Sequence, residues 1–74
     1  MYGTPWCGDC RRSQRFLEEK QIAYAYIDIT DEPEAIAIVE RLNNGRQSVP
    51  TIVFPDGSVL VEPSNKVLAA KLGL

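Results

Sequence analysis

Cys7 and Cys10, three positions apart in the stretch YGTPWCGDC, are the only cysteines of a 74-residue chain. Their types and spacing allow three kinds of chemistry: a structural disulfide, part of a metal site, or a thiol–disulfide redox pair. A Cys-x-x-Cys bridge closes a four-residue loop and contributes roughly 2 kcal/mol in the chain-entropy model, against about 3 for a fifteen-residue loop. A staple is therefore a poor use of the pair. A zinc site takes four ligands, and with no histidine in the chain acidic ligands or a second chain would have to complete it. The missing histidine also excludes a cysteine–histidine catalytic pair. Redox exchange is the reading that the residues support best.

In such exchange the thiolate is the reactive species. A thiol with the ordinary pKa of about 8.5 is only about 3% ionised at pH 7, whereas one at about 7 is half ionised. Cys7 stands just before an expected helix, where free amide N–H groups and the positive end of the macrodipole stabilise an anion. Cys10 falls in the first turn and is expected to be more covered. Cys7 is thus the expected nucleophile and Cys10 the resolving thiol. Cys7 attacks a substrate disulfide to give a mixed disulfide, and Cys10 then attacks Cys7 and expels the reduced substrate.

The neighbours carry weaker signals. Gly8 and Asp9 keep the loop compact, and Asp9 either tunes the pair through its charge or is an exposed acid at a helix start. Trp6 either shields Cys7 and binds substrate or simply packs. Arg11, with Arg12 and Arg15, forms the one basic concentration: a solvated helix face, or a local positive potential for a thiolate or anionic substrate.

Stepping outward, the elements that must position these residues alternate without a long linker. Residues 8–20 place Cys10, Phe16 and Leu17 on one face with Gln14, opposite Arg12, Glu18 and Glu19, and read as a helix. Residues 23–29 (AYAYIDI) are aromatic and β-branched and read as a strand. Thr30 and Asp31 stand where an N-cap is wanted, Asp31 and Glu34 have capping-box spacing, and Pro33 suits a first turn. The helix that follows carries Ala35, Ile38, Val39 and Leu42 at helical spacing and stops at Asn43, Asn44 and Gly45. Residues 51–54 and 58–61, joined by Pro55, Asp56 and Gly57, signal a hairpin. Residues 63–72 close the chain as a third helix with Pro or Ser at its start. A strand–helix–strand opening favours a parallel crossover, to which the hairpin adds antiparallel strands. The first strand has only Met1, Tyr2 and Gly3 to draw on, so it is either very short or truncated upstream.

Composition fits one small globular domain over 1–74, with 45% apolar and 24% charged residues. A net charge of −2 offers no field for phosphate backbones or anionic lipid, so nucleic acid is not an expected partner. No apolar run reaches the length of a membrane span and no signal segment opens the chain, which points to a soluble cytoplasmic protein.

A short strand leading into Trp6-Cys7-x-x-Cys10 at a helix start, followed some forty residues on by Ser48-Val49-Pro50 before a strand, resembles a glutaredoxin of the thioredoxin superfamily. The resemblance covers nearly the whole chain. It implies an α/β thioredoxin-like fold, a four-stranded mixed sheet with three helices and a central first strand. It also implies a cis Val49–Pro50 bond, a Val49 backbone that pairs with an extended substrate segment, and a Pro50 beside the cysteines that keeps metals away. The sequence alone would read that bond as trans.

The expected co-substrate is a low-molecular-weight thiol, with no bound cofactor and no metal. The glutathione pattern of the family is only partly present. Thr4 replaces the usual basic residue three positions before the first cysteine, and Glu62-Pro63-Ser64-Asn65 replaces the Gly-Gly segment before the last helix. Arg46, Gln47 and Val49 could supply part of the thiol site, and Ser64 and Asn65 could hold an anion at the last helix's N-terminus. Phe54 to Ser58 with Pro63-Ser64 is more similar to bacterial mycoredoxin-like glutaredoxins, which use thiols such as mycothiol. The expected partners are disulfide-containing proteins and a thiol or flavoprotein reductase system, and the expected state is a monomer. The alternative is a glutaredoxin that holds or carries an iron–sulfur cluster across a dimer.

Overall fold

The computed structural model describes residues 1–74 as β1 (Tyr2–Gly3), α1 (Gly8–Glu19), β2 (Ile27–Asp28), α2 (Pro33–Leu42), β3 (Thr51–Val53), β4 (Val59–Val61) and α3 (Asn65–Leu72). The strands form one mixed sheet in the order β2-β1-β3-β4, with β1 parallel to β2, antiparallel to β3, and β3 antiparallel to β4. This is the thioredoxin-like arrangement, and its short first strand is central. Its backbone is tied to β2 and the segment before it. Ile27 N donates to Met1 O (2.8 Å), Ile29 N to Gly3 O (3.0 Å), and the Met1 ammonium to Ala25 O (2.8 Å).

The sequence reads residues 23–29 as strand throughout, but regular pairing covers only Ile27–Asp28, the two residues in register with Tyr2 and Gly3. The alternation persists outside the ladder: Ile22, Tyr24 and Tyr26 are half-buried against the core while Ala23, Ala25 and Ile27 face outward.

Burial of Met1, Leu17, Ile52 and Leu68 makes the core. These come from the start of the chain, α1, β3 and α3, so α1 and α3 cover one sheet face. Asn43, at the end of α2, bonds the side chain of Thr51, the residue next to Ile52 in β3, and this places α2 against the other face. Val39 of α2 is fully buried there, whereas Leu42, expected on the same stripe, is left 39% exposed.

The ends of the helices show which local signals prevailed. Ser64 caps α3 by accepting Val67 N–H at 3.2 Å, and Gly73 stops it in the left-handed region at φ 75°. Pro33 opens α2 as expected, but the Asp31 capping box does not form. Asp28 Oδ1 instead accepts Thr30 N–H (2.8 Å) and Asp31 turns at φ 57°, so the N-cap falls on Glu32, which makes no side-chain bond. The β3–β4 hairpin closes through Phe54 N–H to Ser58 O (2.9 Å). Asp56 accepts both Ser58 N–H (2.9 Å) and Ser58 Oγ–H (2.6 Å), and also Lys71 Nζ at 2.7 Å, which ties the turn to α3. No helix is long and apolar enough to cross a membrane.

Candidate active site

Cys7 occupies the N-cap of α1, with extended backbone at φ −87°, ψ 110°. Its Sγ accepts the Cys10 N–H at 3.0 Å, so one of the free donors at the helix start is aimed at the sulfur. On the other side Sγ lies 3.8 Å from Val49 O. Cys7 is half-exposed and Cys10 is fully buried, and both are free thiols. Burial, with the adjoining Cys7 sulfur, pushes the Cys10 thiol up to about 11, while the Thr4 backbone amide and the Tyr26 hydroxyl pull against that rise.

Cys10, Ser13 and Leu17 form the buried stripe of α1. Ser13 is absent from the stripe read off the sequence, which contains Gln14 instead. Hydrophobic periodicity does not register a serine, and this one fits because it is small enough to lie against the sheet. Its Oγ is buried with no hydrogen-bond partner.

The Val49–Pro50 bond is cis and Pro50 is fully buried, directly after the Val49 carbonyl that faces Cys7 Sγ. Val49 N–H donates to no group of the fold. Behind it, Thr51 Oγ1 donates to Ser48 O (2.7 Å) and accepts from Asn43 Nδ2 (2.9 Å), while Glu62 N–H donates to Pro50 O (2.8 Å). Sequence reasoning missed Thr51 and Asn43 because a buried hydroxyl and an amide at a helix stop have no pattern that links them.

The remaining expected residues are placed differently from one another. Trp6 is 70% exposed, so core packing does not account for it. Asp9 pairs with Arg12 at 3.2 Å, both half exposed, a contact worth about 0–1 kcal/mol at such a surface position. Arg11 Nη2 donates to Pro5 O and Arg12 Nη2 to Pro63 O (2.9 Å), so these arginines tether the loops on either side of the site and do not merely face solvent. Through Arg12 the Pro63-Ser64 segment is held to the first turns of α1. Ser64 spends its hydroxyl on the α3 cap, and Asn65 is exposed at the first helical position. Gln47 is exposed and donates to Glu40 Oε2 (3.3 Å), with no hydrogen bond to the cysteines. No three cysteine, aspartate or glutamate side chains converge as a potential metal site.

Glutaredoxin is the family whose model matches, over residues 1–60. The chain belongs to the glutaredoxin family. A protein of Mycobacterium tuberculosis described as a glutaredoxin is 42% identical over 72 residues, spanning 97% of this chain and 86% of that protein. Mycoredoxin 1 of Corynebacterium glutamicum is 32% identical over 72 residues, 97% of this chain and 89% of that one. Glutaredoxins are thiol–disulfide oxidoreductases, and the chain is an enzyme of that class. The position of the cysteines in this glutaredoxin suits the chemistry: one sulfur is reachable at a helix start, and the other is buried one turn further on.

Proposed function

We propose that this glutaredoxin reduces protein disulfides and mixed disulfides by a dithiol cycle, with Cys7 as nucleophile and Cys10 as resolving thiol. The observation that carries the reading is the asymmetry of the pair: Cys7 Sγ is half-exposed and accepts a helix N–H, while Cys10 is buried behind it. In the first step the Cys7 sulfur bonds to one sulfur of the substrate disulfide, and the other sulfur leaves with the electron pair and takes up a proton. In the second, Cys10 gives up its proton, bonds to Cys7 and expels the reduced substrate, leaving a Cys7–Cys10 disulfide.

The unpartnered Val49 N–H and the Val49 carbonyl beside Cys7 supply the backbone groups for an extended substrate segment, with buried Pro50 fixing their place. Trp6 offers an exposed aromatic face next to the nucleophile. Ser64 and Asn65 at the α3 N-terminus, held near α1 by Arg12, and Gln47 are the proposed contacts of a low-molecular-weight thiol. Asp9 and Arg11 are the proposed modulating charges. Similarity to mycoredoxin 1 favours a thiol other than glutathione, such as mycothiol, as co-substrate. The proposed setting is the cytoplasm, with the protein acting as a monomer alongside a thiol or flavoprotein reductase system.

The test is a coupled assay in which the oxidised protein is offered glutathione, mycothiol, bacillithiol or a flavoprotein disulfide reductase. Reduction by a low-molecular-weight thiol supports the reading. Reduction by the flavoprotein alone would remove the thiol from the cycle, and full turnover by Cys7→Ser would remove the nucleophile.

A further inference from the structure

Tyr26 is a side chain at the site to which the dithiol cycle gives no task. It projects from the extended segment before β2 to the buried side of the cysteine loop, where its hydroxyl donates to Thr4 O at 3.1 Å. Gly3 of β1 lies beneath. A β-carbon at Gly3 would collide with Tyr26 Oη and would come within 2.8 Å of Cys10 Sγ and 3.0 Å of Tyr26 Cζ. The phenol and the resolving thiol therefore share one small space, which the missing side chain of Gly3 leaves open.

We propose that the Tyr26 hydroxyl is a catalytic group of the second half-reaction, turning from Thr4 O to donate its hydrogen bond to Cys10 Sγ as that sulfur ionises and attacks Cys7. The proposal rests on the dithiol reading above. The step balances without a further reactant. In the mixed disulfide, Cys10 S–H loses its proton to solvent and its electron pair forms the bond to Cys7 Sγ. The bond between Cys7 and the substrate sulfur breaks, and the substrate leaves as a thiolate that takes a proton from water. Tyr26 keeps its own proton throughout.

The electrostatics around the pair agree with a donor rather than a base. Burial and the nearby Cys10 push Tyr26 up to about 12, so at neutral pH the phenol holds its proton and is able to donate. The other ionisable groups acting on the two are Cys7 from α1 and Asp28 from β2, the latter bonded to Thr30. Asp9, Arg11 and Arg12 on α1 are exposed and engaged with one another or with Pro5 O and Pro63 O, and the Met1 ammonium is bonded to Ala25 O. Once Cys7 is in the mixed disulfide its sulfur carries no charge and no longer opposes a Cys10 thiolate, while the Thr4 amide and the Tyr26 hydroxyl, which favour it, still act.

Tyr26→Phe keeps the ring and removes only the hydroxyl. In single-turnover kinetics with a disulfide substrate, mixed-disulfide formation measured in a Cys10→Ser background keeps the same rate with and without the substitution. Resolution in the protein with both cysteines slows about 3- to 10-fold, the net worth of one ordinary hydrogen bond. The midpoint of its pH–rate profile moves upward. As a second measurement, the thiolate absorbance of Cys10 in a Cys7→Ser protein titrates at higher pH when Tyr26→Phe is added. An unchanged resolution rate and midpoint, or both steps falling by the same factor, overturns the role of Tyr26 and leaves the dithiol cycle standing. Absence of any mixed disulfide at Cys7 in either protein overturns the cycle and the proposal with it.

Discussion

Thr51→Val tests how the segment facing the cysteines is held. The Thr51 side chain is fully buried, and its hydroxyl both donates to Ser48 O (2.7 Å) and accepts from Asn43 Nδ2 (2.9 Å). Valine keeps the shape and deletes both bonds. At about 1 kcal/mol net for each bond, plus part of the desolvation cost of a carbonyl left dry, the expected loss is about 2–3 kcal/mol. A domain of this size loses roughly 4–8 °C in Tm per kcal/mol, so the midpoint falls on the order of 10–20 °C. Urea unfolding of the reduced protein measures it, with the midpoint lowered and the slope unchanged. Asn43→Ala removes one bond and costs about 1 kcal/mol, and the double variant costs less than the two single losses together because they share a partner. Since Ser48 precedes Val49, KM for a disulfide substrate rises more than kcat falls. A loss below about 0.5 kcal/mol, the range of an ordinary surface change, refutes the idea that this hydroxyl anchors the segment.

Three further outcomes follow from individual contacts. Ser13→Ala removes a buried hydroxyl that has no partner, so unfolding by urea shows unchanged or increased stability, by up to about 1 kcal/mol; a clear loss would mean that the hydroxyl is bonded in solution. Gly3→Ala places a methyl where Cys10 Sγ and Tyr26 Oη already sit, and costs about 1–3 kcal/mol by overpacking while also slowing resolution; wild-type stability contradicts the crowding. Alkaline pH weakens the reduced protein. Cys10 is pushed above the ordinary thiol range to about 11, so between that range and about 11 the unfolded chain has lost a proton that the folded one keeps, and stability falls as pH increases. Tyr26, raised from 10.0 to about 12, extends the fall upward. Thermal midpoints at pH 8 and pH 10 are expected to differ more for the wild type than for Cys10→Ser, and equal differences would count against a buried, protonated Cys10.

Much of the fold is legible in the sequence because its signals are local. The three helices, Pro33, Ser64 at the α3 cap and the Pro55-Asp56-Gly57 turn rest on signals that act over a few residues, and each appears where its chemistry places it. What was not legible depends on a partner distant in the chain. Regular pairing in β2 covers only Ile27–Asp28, the residues in register with β1, although the aromatic and β-branched run is longer. The α2 cap moved because Asp28, on the preceding strand, captured the Thr30 amide that a capping box leaves free. Within the site, the cysteine pair and the Ser48-Val49-Pro50 segment stand out by spacing. Arg11 and Arg12 read as a charged face because their acceptors are the backbone carbonyls of Pro5 and Pro63, which no residue pattern reveals. Tyr26 reads as one more aromatic in an alternating strand. Only the fold shows that its hydroxyl reaches the space over Gly3.

Trapping separates the roles of the two cysteines. The reduced Cys10→Ser and Cys7→Ser proteins are each mixed with one equivalent of a disulfide substrate, quenched with acid and mapped by peptide mass. A stable mixed disulfide is expected on Cys7 in the first protein and little or no adduct in the second, where the buried Cys10 is alone. Rapid adduct formation on Cys10 in the Cys7→Ser protein, at the rate seen for Cys7, would contradict this division of labour.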